Sequence, residues 1–251
     1  MGFCLVAVNA HAAEPGEDFF NQGVAYEKQG KTGEAVAEYS RAVAANPDLA
    51  AAYFNRGFSY EKLGEYDKAI ANYTKVLKRY PGNPLFSYSR GRALFKKEDL
   101  KNALSDLDRA ILSWYSLQRK GQMDTLSERD IHAFADAYVI LGLIHQQEGK
   151  PDEVIVDTTL SLKIRPTADA YNNRGFAYAN KGRMDEAIND FNKAIGLEPH
   201  YVNAYANRSM AYLEKKQYDK AWEDIHRAEA LGAKPPAEFL EALKKASGRD
   251  Q

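Results

Sequence analysis

The sequence of 251 residues is poor in the side chains that usually build disulfide and metal sites. It contains one cysteine and five histidines. A single cysteine excludes a disulfide framework and a cysteine zinc cluster. The 34 lysines and arginines are balanced by 35 aspartates and glutamates, so no excess of positive charge points to nucleic acid or to a membrane surface. No apolar run is long enough to cross a bilayer.

Catalytic motifs are missing as well. The sequence has no glycine-rich phosphate loop, no nucleophile elbow and no HExxH helix. Its histidines are widely separated, at His11, His132, His145, His200 and His226. We therefore predict that the protein is not an enzyme and holds no metal ion or cofactor.

The N-terminus has features of a secretory signal. Residues 3–8 are apolar, and Ala10-His11-Ala12 is a small-x-small triplet of the kind that signal peptidases cleave after. A positively charged start is missing, so an N-terminal extension of a cytoplasmic protein is the alternative. Residues 1–15 thus predict either a signal-peptide remnant, in a periplasmic or secreted protein, or a disordered N-terminus.

The abundant residue is tyrosine, with 16 copies against 11 phenylalanines and two tryptophans. The tyrosines recur with small residues every 34 positions, as in Gly23 with Tyr26, Gly57 with Tyr60, Gly175 with Tyr178 and Ser209 with Tyr212. With Gly16 as position 1, aromatics recur at positions 4, 11 and 24, and small residues at positions 8, 20 and 27. Glycine recurs at position 15 and proline at position 32. Six units begin at Gly16, Ala50, Pro84, Ala135, Ala168 and Val202.

This pattern resembles the tetratricopeptide repeat closely. The resemblance covers most of the chain and implies an all-α, right-handed α-solenoid of about six helix-turn-helix repeats. Small residues let the two helices of a repeat approach each other, and aromatics fill the space between them. Glycine at position 15 suits a left-handed residue at the end of the first helix. His145 falls at an aromatic core position, which favours a buried structural role over a site role.

The units divide the chain into two arrays, with repeats 1–3 over residues 16–117 and repeats 4–6 over residues 135–235. Residues 118–134 are an insertion that we expect to lengthen the helices on either side, with a turn near Gly121; a hinge is the alternative. Residues 236–251 predict a capping helix and tail, because Phe239, Leu240 and Leu243 form an apolar stripe that covers the last repeat.

The resemblance also implies a binding surface, since positions 2, 5, 6, 9, 12 and 13 of the first helices face the concave groove. Position 6 repeats a polar side chain that can hold the backbone of a peptide, in Asn21, Asn55, Ser89, Asn173 and Asn207. Positions 5 and 9 add a patch that can take apolar side chains, in Phe20, Phe54, Phe58, Tyr88, Arg92 and Phe176. The alternatives are local hydrogen bonds for the amides and partial core for the aromatics.

Two further patterns bear on this surface. Position 7 repeats arginine, in Arg56, Arg90, Arg174 and Arg208, which we interpret as salt bridges between repeats rather than ligand contacts. The basic residues with which some tetratricopeptide domains clamp a C-terminal carboxylate are absent, because Phe20 and Leu85 stand at two of the positions concerned.

The predicted function is a protein–protein interaction scaffold that binds a peptide segment or partner protein along the groove. Alternatives are a structural or oligomerisation adaptor, and a regulatory subunit that positions an enzyme in a complex. Trp114, Tyr115 and Leu117 beside the insertion would serve as the interface of a homo-oligomer. Neither a nucleic-acid partner nor a transmembrane segment is expected.

Overall fold

The computed structural model describes residues 15–121 and 126–249. All regular secondary structure within these ranges is α-helical. The helices are α1 (Glu17–Lys28), α2 (Thr32–Ala45), α3 (Ala50–Lys62), α4 (Tyr66–Arg79), α5 (Pro84–Lys96), α6 (Leu100–Arg119), α7 (Glu128–Gln147), α8 (Pro151–Ile164), α9 (Ala168–Asn180), α10 (Met184–Leu197), α11 (Val202–Glu214), α12 (Tyr218–Ala230) and α13 (Ala237–Ser247). The predicted signal-peptide remnant, residues 1–12, lies outside the described residues.

The helices form two compact units. The N-terminal unit is Met1–Ala137 and the C-terminal unit is Tyr138–Gln251, with the boundary inside α7. Within each unit, helices that follow one another in the chain pack together across short turns, as α1 does with α2, α3 with α4 and α9 with α10. The predicted fold class, an all-α solenoid of repeats, is confirmed. In the C-terminal unit, α13 buries Leu243 against Ala221, Trp222 and Ile225 of α12, which covers the last repeat.

Within a repeat, the two helices touch where a glycine faces a ring. In repeat 2, a Cβ atom built on Gly57 would lie 2.9 Å from Cε1 of Tyr73, closer than side chains approach in proteins. The same contact recurs in repeats 1 and 5, between Gly23 and Tyr39 and between Gly175 and Phe191. The alanines at position 20 are fully buried in five repeats: Ala35, Ala69, Ala103, Ala187 and Ala221. Small residues therefore set the distance between the paired helices.

The turn between the two helices of a repeat uses a left-handed residue at position 15. Four repeats place glycine there, with φ between 70° and 75°: Gly30, Gly64, Gly149 and Gly182. Repeats 3 and 6 adopt the same backbone with Glu98 (φ 66°) and Lys216 (φ 57°). An L-residue with a Cβ atom pays about 1–2 kcal/mol in this region, so these two turns are strained relative to the other four.

The helices on either side of the insertion are the longest, because α6 and α7 each contain 20 residues. Gly121, after α6, has a φ of 67°. Trp114 of α6 packs on Phe134 of α7 with ring centroids 3.8 Å apart, and both are buried. The prediction that Trp114 contributes to an interface with another copy is therefore wrong, because its indole ring is buried in the core of its own unit.

Replacing Gly57 with leucine is expected to lower the free energy of unfolding by about 1–3 kcal/mol, because the new side chain overlaps the ring of Tyr73. Gly196 of α10 is the matched control, since a Cβ there meets nothing within 4 Å. Gly196→Ala should raise the free energy of unfolding by about 0.5–1 kcal/mol. Urea unfolding followed by circular dichroism measures both. Equal effects of the two variants would contradict the close glycine–ring contact.

Glu98→Gly is expected to stabilise the protein by about 1 kcal/mol, because glycine removes the cost of the left-handed backbone. Lys96→Gly, two residues earlier and within α5, should instead destabilise by about 1 kcal/mol. Urea unfolding of the two variants gives opposite signs if Glu98 is strained; destabilisation by Glu98→Gly would refute this.

Candidate functional site

The predicted binding residues all lie on the odd-numbered helices. In the N-terminal unit they are on α1, α3 and α5, and in the C-terminal unit on α9 and α11. Five of those in the N-terminal unit are buried, with exposures of 2–5%: Phe20, Phe54, Asn55, Tyr88 and Ser89. Solvent reaches Asn21, Phe58 and Arg92 in this unit, and Asn173, Phe176 and Asn207 in the C-terminal unit.

The buried aromatics pack inside the N-terminal unit. The rings of Phe20 and Tyr39 have centroids 5.8 Å apart, and those of Phe54 and Tyr73 lie 5.6 Å apart. Phe86 also stacks on Phe54, at 5.0 Å. Such tilted arrangements stabilise aromatic cores. Position 5 therefore points toward the second helix of the repeat, and the interpretation of these rings as core is the one that the geometry supports.

A polar network occupies the same face of the N-terminal unit. Arg92 binds both carboxylate oxygens of Glu61, at 2.6 and 3.0 Å, and donates to the Tyr88 hydroxyl at 3.0 Å. Tyr88 in turn donates to the carboxylate of Asp136 on α7. Burial of the hydroxyl, together with the Asp136 carboxylate, raises the pKa of Tyr88 above its ordinary value. Arg92 is thus neutralised within the unit rather than held ready for an anionic ligand.

Phe58 is flanked by a second charged cluster. The buried Glu27 accepts hydrogen bonds from Ser59 at 2.5 Å and from Lys62 at 2.6 Å. The Lys62 ammonium lies 5.1 Å from the centre of the Phe58 ring, within the range of a cation–π contact. The charges on this face therefore satisfy one another.

Sequence reasoning missed the acidic members of these networks. Glu27 and Glu61 both stand at position 12, one of the groove positions, so their recurrence was visible in the repeat alignment. Asp136 stands at position 2, another groove position, but its pairing with Tyr88 was not visible because the two residues are 48 positions apart in the sequence.

Three of the arginines at position 7 form salt bridges within their own repeat, not between repeats as predicted, and they reach the preceding repeat through hydrogen bonds to neutral side chains. Arg90 makes two hydrogen bonds to the buried Asp106, at 2.6 and 2.8 Å, and a third to Thr74 of the preceding repeat at 3.2 Å. Arg174 and Arg208 bind Asp190 and Asp224 in the same way. Because two charge-assisted bonds fix the guanidinium plane, these arginines hold the repeats in register and are not ligand contacts.

Repeat 4 replaces this arginine by Leu141. The aspartate at the corresponding place, Asp157, is instead bonded by His145 Nδ1 at 2.7 Å. His145 is half-buried, not buried as expected, and its hydrogen bond to Asp157 is a structural contact within the degenerate repeat 4.

The C-terminal unit has an open apolar cavity on the face of its odd-numbered helices. Its volume is about 300 Å³, and it lies between α9, α10, α11 and α13. The lining residues are Phe176, Ala179, Asn180, Met184, Phe191, Asn207, Met210, Ala211, Leu213, Glu214 and Phe239. Two of them, Phe176 and Asn207, are predicted binding residues. The cavity is the place where the predicted surface is both accessible and concave.

The polar groups of the cavity are few. Asn207 donates from Nδ2 to Asn172 Oδ1 at 2.9 Å, which orients its amide and leaves its own oxygen for another donor. Glu214 is the one charged residue in the lining. Met210 is 42% exposed, a large fraction for an apolar side chain inside a repeat.

Other kinds of site find no support in the described ranges. Within residues 15–121 and 126–249, no group of three or more histidine, cysteine, aspartate or glutamate side chains is placed to hold a metal ion. None of the helices described there is long and apolar enough to span a membrane.

Comparison with known families agrees with the geometry. The family described as "TPR repeat" matches residues 23–64, and the family "Tetratricopeptide repeat" matches residues 50–83 and 168–201. The chain is a tetratricopeptide repeat protein. No curated protein sequence matches it significantly.

Solved structures of several other proteins share its fold. PilF of Pseudomonas aeruginosa superimposes with a TM-score of 0.72 at 16% identity, over 93% of this chain and 97% of the other. A chain of the APC/C hetero-tetramer Cut9–Hcn1 gives 0.69 at 20% identity; the match covers 93% of this chain but only 43% of that one. YrrB, described as having an unusual peptide-binding site, gives 0.58 at 19% identity over 84% and 97% of the two chains.

Members of the tetratricopeptide repeat family typically act as non-catalytic scaffolds, and this fold supports a protein–protein interaction scaffold in general. At these identities the neighbours show the fold alone. Which surface of this tetratricopeptide repeat protein binds, and what it binds, must come from its own side chains.

Tyr88→Phe is expected to lower the free energy of unfolding by about 1.5–3 kcal/mol, because hydrogen bonds to two charged groups, Arg92 and Asp136, are lost. The loss should shrink above about pH 10, where ionisation of tyrosine in the unfolded chain removes the stability gained from its raised pKa.

The matched control is Tyr66→Phe, since the side-chain hydroxyl of Tyr66 makes no hydrogen bond within the described residues. Urea unfolding at pH 7 and above pH 10 measures both variants. Identical unfolding of Tyr88→Phe and the control at pH 7 would show that the network does not stabilise the N-terminal unit.

Proposed function

We propose that this protein is a non-catalytic scaffold that binds a peptide segment of a partner protein, with the cavity of the C-terminal unit as its main binding site. The observation that carries the proposal is the coincidence of three properties at one place. The cavity is open, its lining is apolar, and it contains Phe176 and Asn207 at the positions from which the repeat predicts ligand contacts.

The size of the cavity suits side chains rather than a large molecule. Ligand pockets of proteins usually start at about 300 Å³, so this cavity lies at the lower limit. Burying one leucine, methionine or phenylalanine side chain in it contributes about 1.5–3 kcal/mol. A micromolar complex needs about 8 kcal/mol, so the bound segment must extend beyond the cavity.

The amides at position 6 extend the surface in the C-terminal unit. Asn173 and Asn207 are both partly exposed. An amide offers a donor and an acceptor, and this combination pairs with the backbone of an extended segment regardless of its sequence. In this arrangement the cavity selects a side chain of the partner, and the amides bind the partner's backbone.

The N-terminal unit supports a different contribution. Its charged groups on the equivalent face are paired with one another, and five predicted binding residues are buried. We infer that Asn21 and Phe58, which solvent reaches, add contacts to a partner, whereas Arg92 is held by Glu61, and that this unit does not provide the anchoring cavity.

An oligomerisation adaptor is the second candidate. One observation favours it: Leu112 and Tyr115, one turn apart on α6, are 68% and 40% exposed. A stable homodimer in solution would support this alternative. If residues 1–12 are removed as a signal peptide, we propose a periplasmic or secreted location. If they are not removed, we propose a cytoplasmic location.

Met210→Glu is the variant that tests the main proposal. A charge placed in the apolar cavity should abolish burial of a partner's side chain, and we expect at least tenfold less of the specifically captured protein. Stability should change by less than about 0.5 kcal/mol, because Met210 lies at the surface. The measurement is affinity capture from cells of the native organism with quantitative mass spectrometry, alongside thermal melting.

Leu197→Glu is the matched control, because Leu197 is an exposed leucine on α10 of the same unit (50% exposed) and does not line the cavity. It should capture the same proteins as the unaltered chain. If Met210→Glu also captured them in full, binding through the cavity would be ruled out.

A further inference from the structure

The cavity of the C-terminal unit combines an apolar lining with one negative charge at its edge. Glu214 is the last residue of α11, and Asn180 is the last residue of α9. Both line the cavity. Two helix C-termini therefore converge on it, and each carries the partial negative charge of its helix dipole. Carboxylate and helix ends together make this edge of the cavity electronegative.

The charge of Glu214 is not neutralised by its neighbours in the structure. The adjacent Lys215 binds Asp185, and Lys181, which follows α9, binds Asp152 at 2.5 Å. Within residues 126–249, Glu214 itself takes part in no salt bridge. In the N-terminal unit the opposite holds, since Glu27 and Glu61 on the equivalent face each bind a cation.

The position of Glu214 also opposes the local preference of the helix. A negative charge at a helix C-terminus is unfavourable, and a positive one is favourable. The first three repeats follow this rule at the same position, with Lys28, Lys62 and Lys96. Residues that break a local rule of stability are often retained for binding. Glu214 breaks this rule at the edge of the cavity, where its carboxylate can contact a bound ligand.

We infer that the cavity selects partner segments in which a bulky apolar side chain is flanked by lysine or arginine. The apolar side chain enters between Phe176, Met184 and Met210. The cation remains at the edge, beside Glu214 and the two helix ends, where it keeps part of its hydration. This inference rests on the proposed function and adds the chemistry of the partner to it.

The probes are three blocked hexapeptides, acetyl-Ser-Gly-Leu-X-Gly-Ser-amide, in which X is lysine, glutamine or glutamate. Blocking both ends removes the terminal charges, so the peptides differ only at X. Binding to the full chain is followed by NMR of methionine methyl groups labelled with carbon-13. Met184 and Met210 report directly from the cavity, and their signals are assigned with Met184→Leu and Met210→Leu.

The lysine peptide should bind about fivefold more tightly than the glutamate peptide at low ionic strength, with glutamine between them. The ratio should fall toward one in 0.5 M salt. Glu214→Lys should reverse the order, and Glu214→Gln should reduce the ratio to about twofold. Loss of folding is not expected for Glu214→Lys, because lysine is the favoured residue at this helix end.

Glu198→Lys is the control for charge reversal elsewhere, because Glu198 follows α10 at its C-terminus and does not line the cavity. It should keep the preference of the unaltered chain. Retention of that preference in Glu214→Lys, or no preference in the unaltered chain, would overturn the inference and leave the proposed function standing. Unchanged Met184 and Met210 signals with all three peptides at millimolar concentration would overturn it too. The proposed function itself is judged separately, by partner capture with Met210→Glu.

Discussion

The close approach of two helices over a small residue, glycine in repeats 1 to 5 and Ser209 in repeat 6, is the contact on which each repeat depends. Where Gly57 faces Tyr73 and Gly175 faces Phe191, no larger residue fits without displacing the ring. The ring fills the space that the missing side chain leaves, and alanine at position 20 completes the contact. Because close packing in an interior tolerates little change in volume, this one contact explains why aromatic and small residues recur together throughout the chain.

Neighbouring repeats are then held in register by the arginines at position 7. Each guanidinium bonds the second helix of its own repeat and that of the preceding one, as Arg90 does with Asp106 and Thr74. Repeat 4 lacks the arginine and uses His145 with Asp157. These polar pairs thus fix the relative orientation of neighbouring repeats, which apolar packing alone specifies less strictly. The residues on the faces of the odd-numbered helices are then free to differ between repeats.

That variation distinguishes the surfaces of the two units. In the N-terminal unit, Glu61, Arg92, Tyr88 and Asp136 form a network that satisfies its own charges. In the C-terminal unit, the corresponding face opens into a cavity with exposed Met210 and with Glu214, which forms no salt bridge with any residue that the structure describes. Groups whose bonding capacity is used internally have little to offer a partner, whereas apolar surface left open does. The proposed binding site follows from this difference.

Much of the architecture could be predicted from the sequence alone, because the 34-residue spacing of Gly23, Gly57 and their partners reflects local helix geometry and repeated contacts. The same holds for the left-handed glycines. Tertiary structure alone decided which predicted site residues are accessible. Phe20, Phe54 and Tyr88 belong to the same predicted patch as Phe58, Arg92 and Phe176, which solvent reaches, yet they are buried by side chains from other helices. The cavity, too, exists only where four helices meet, because solvent exposure and charge pairing depend on neighbours that are distant in sequence.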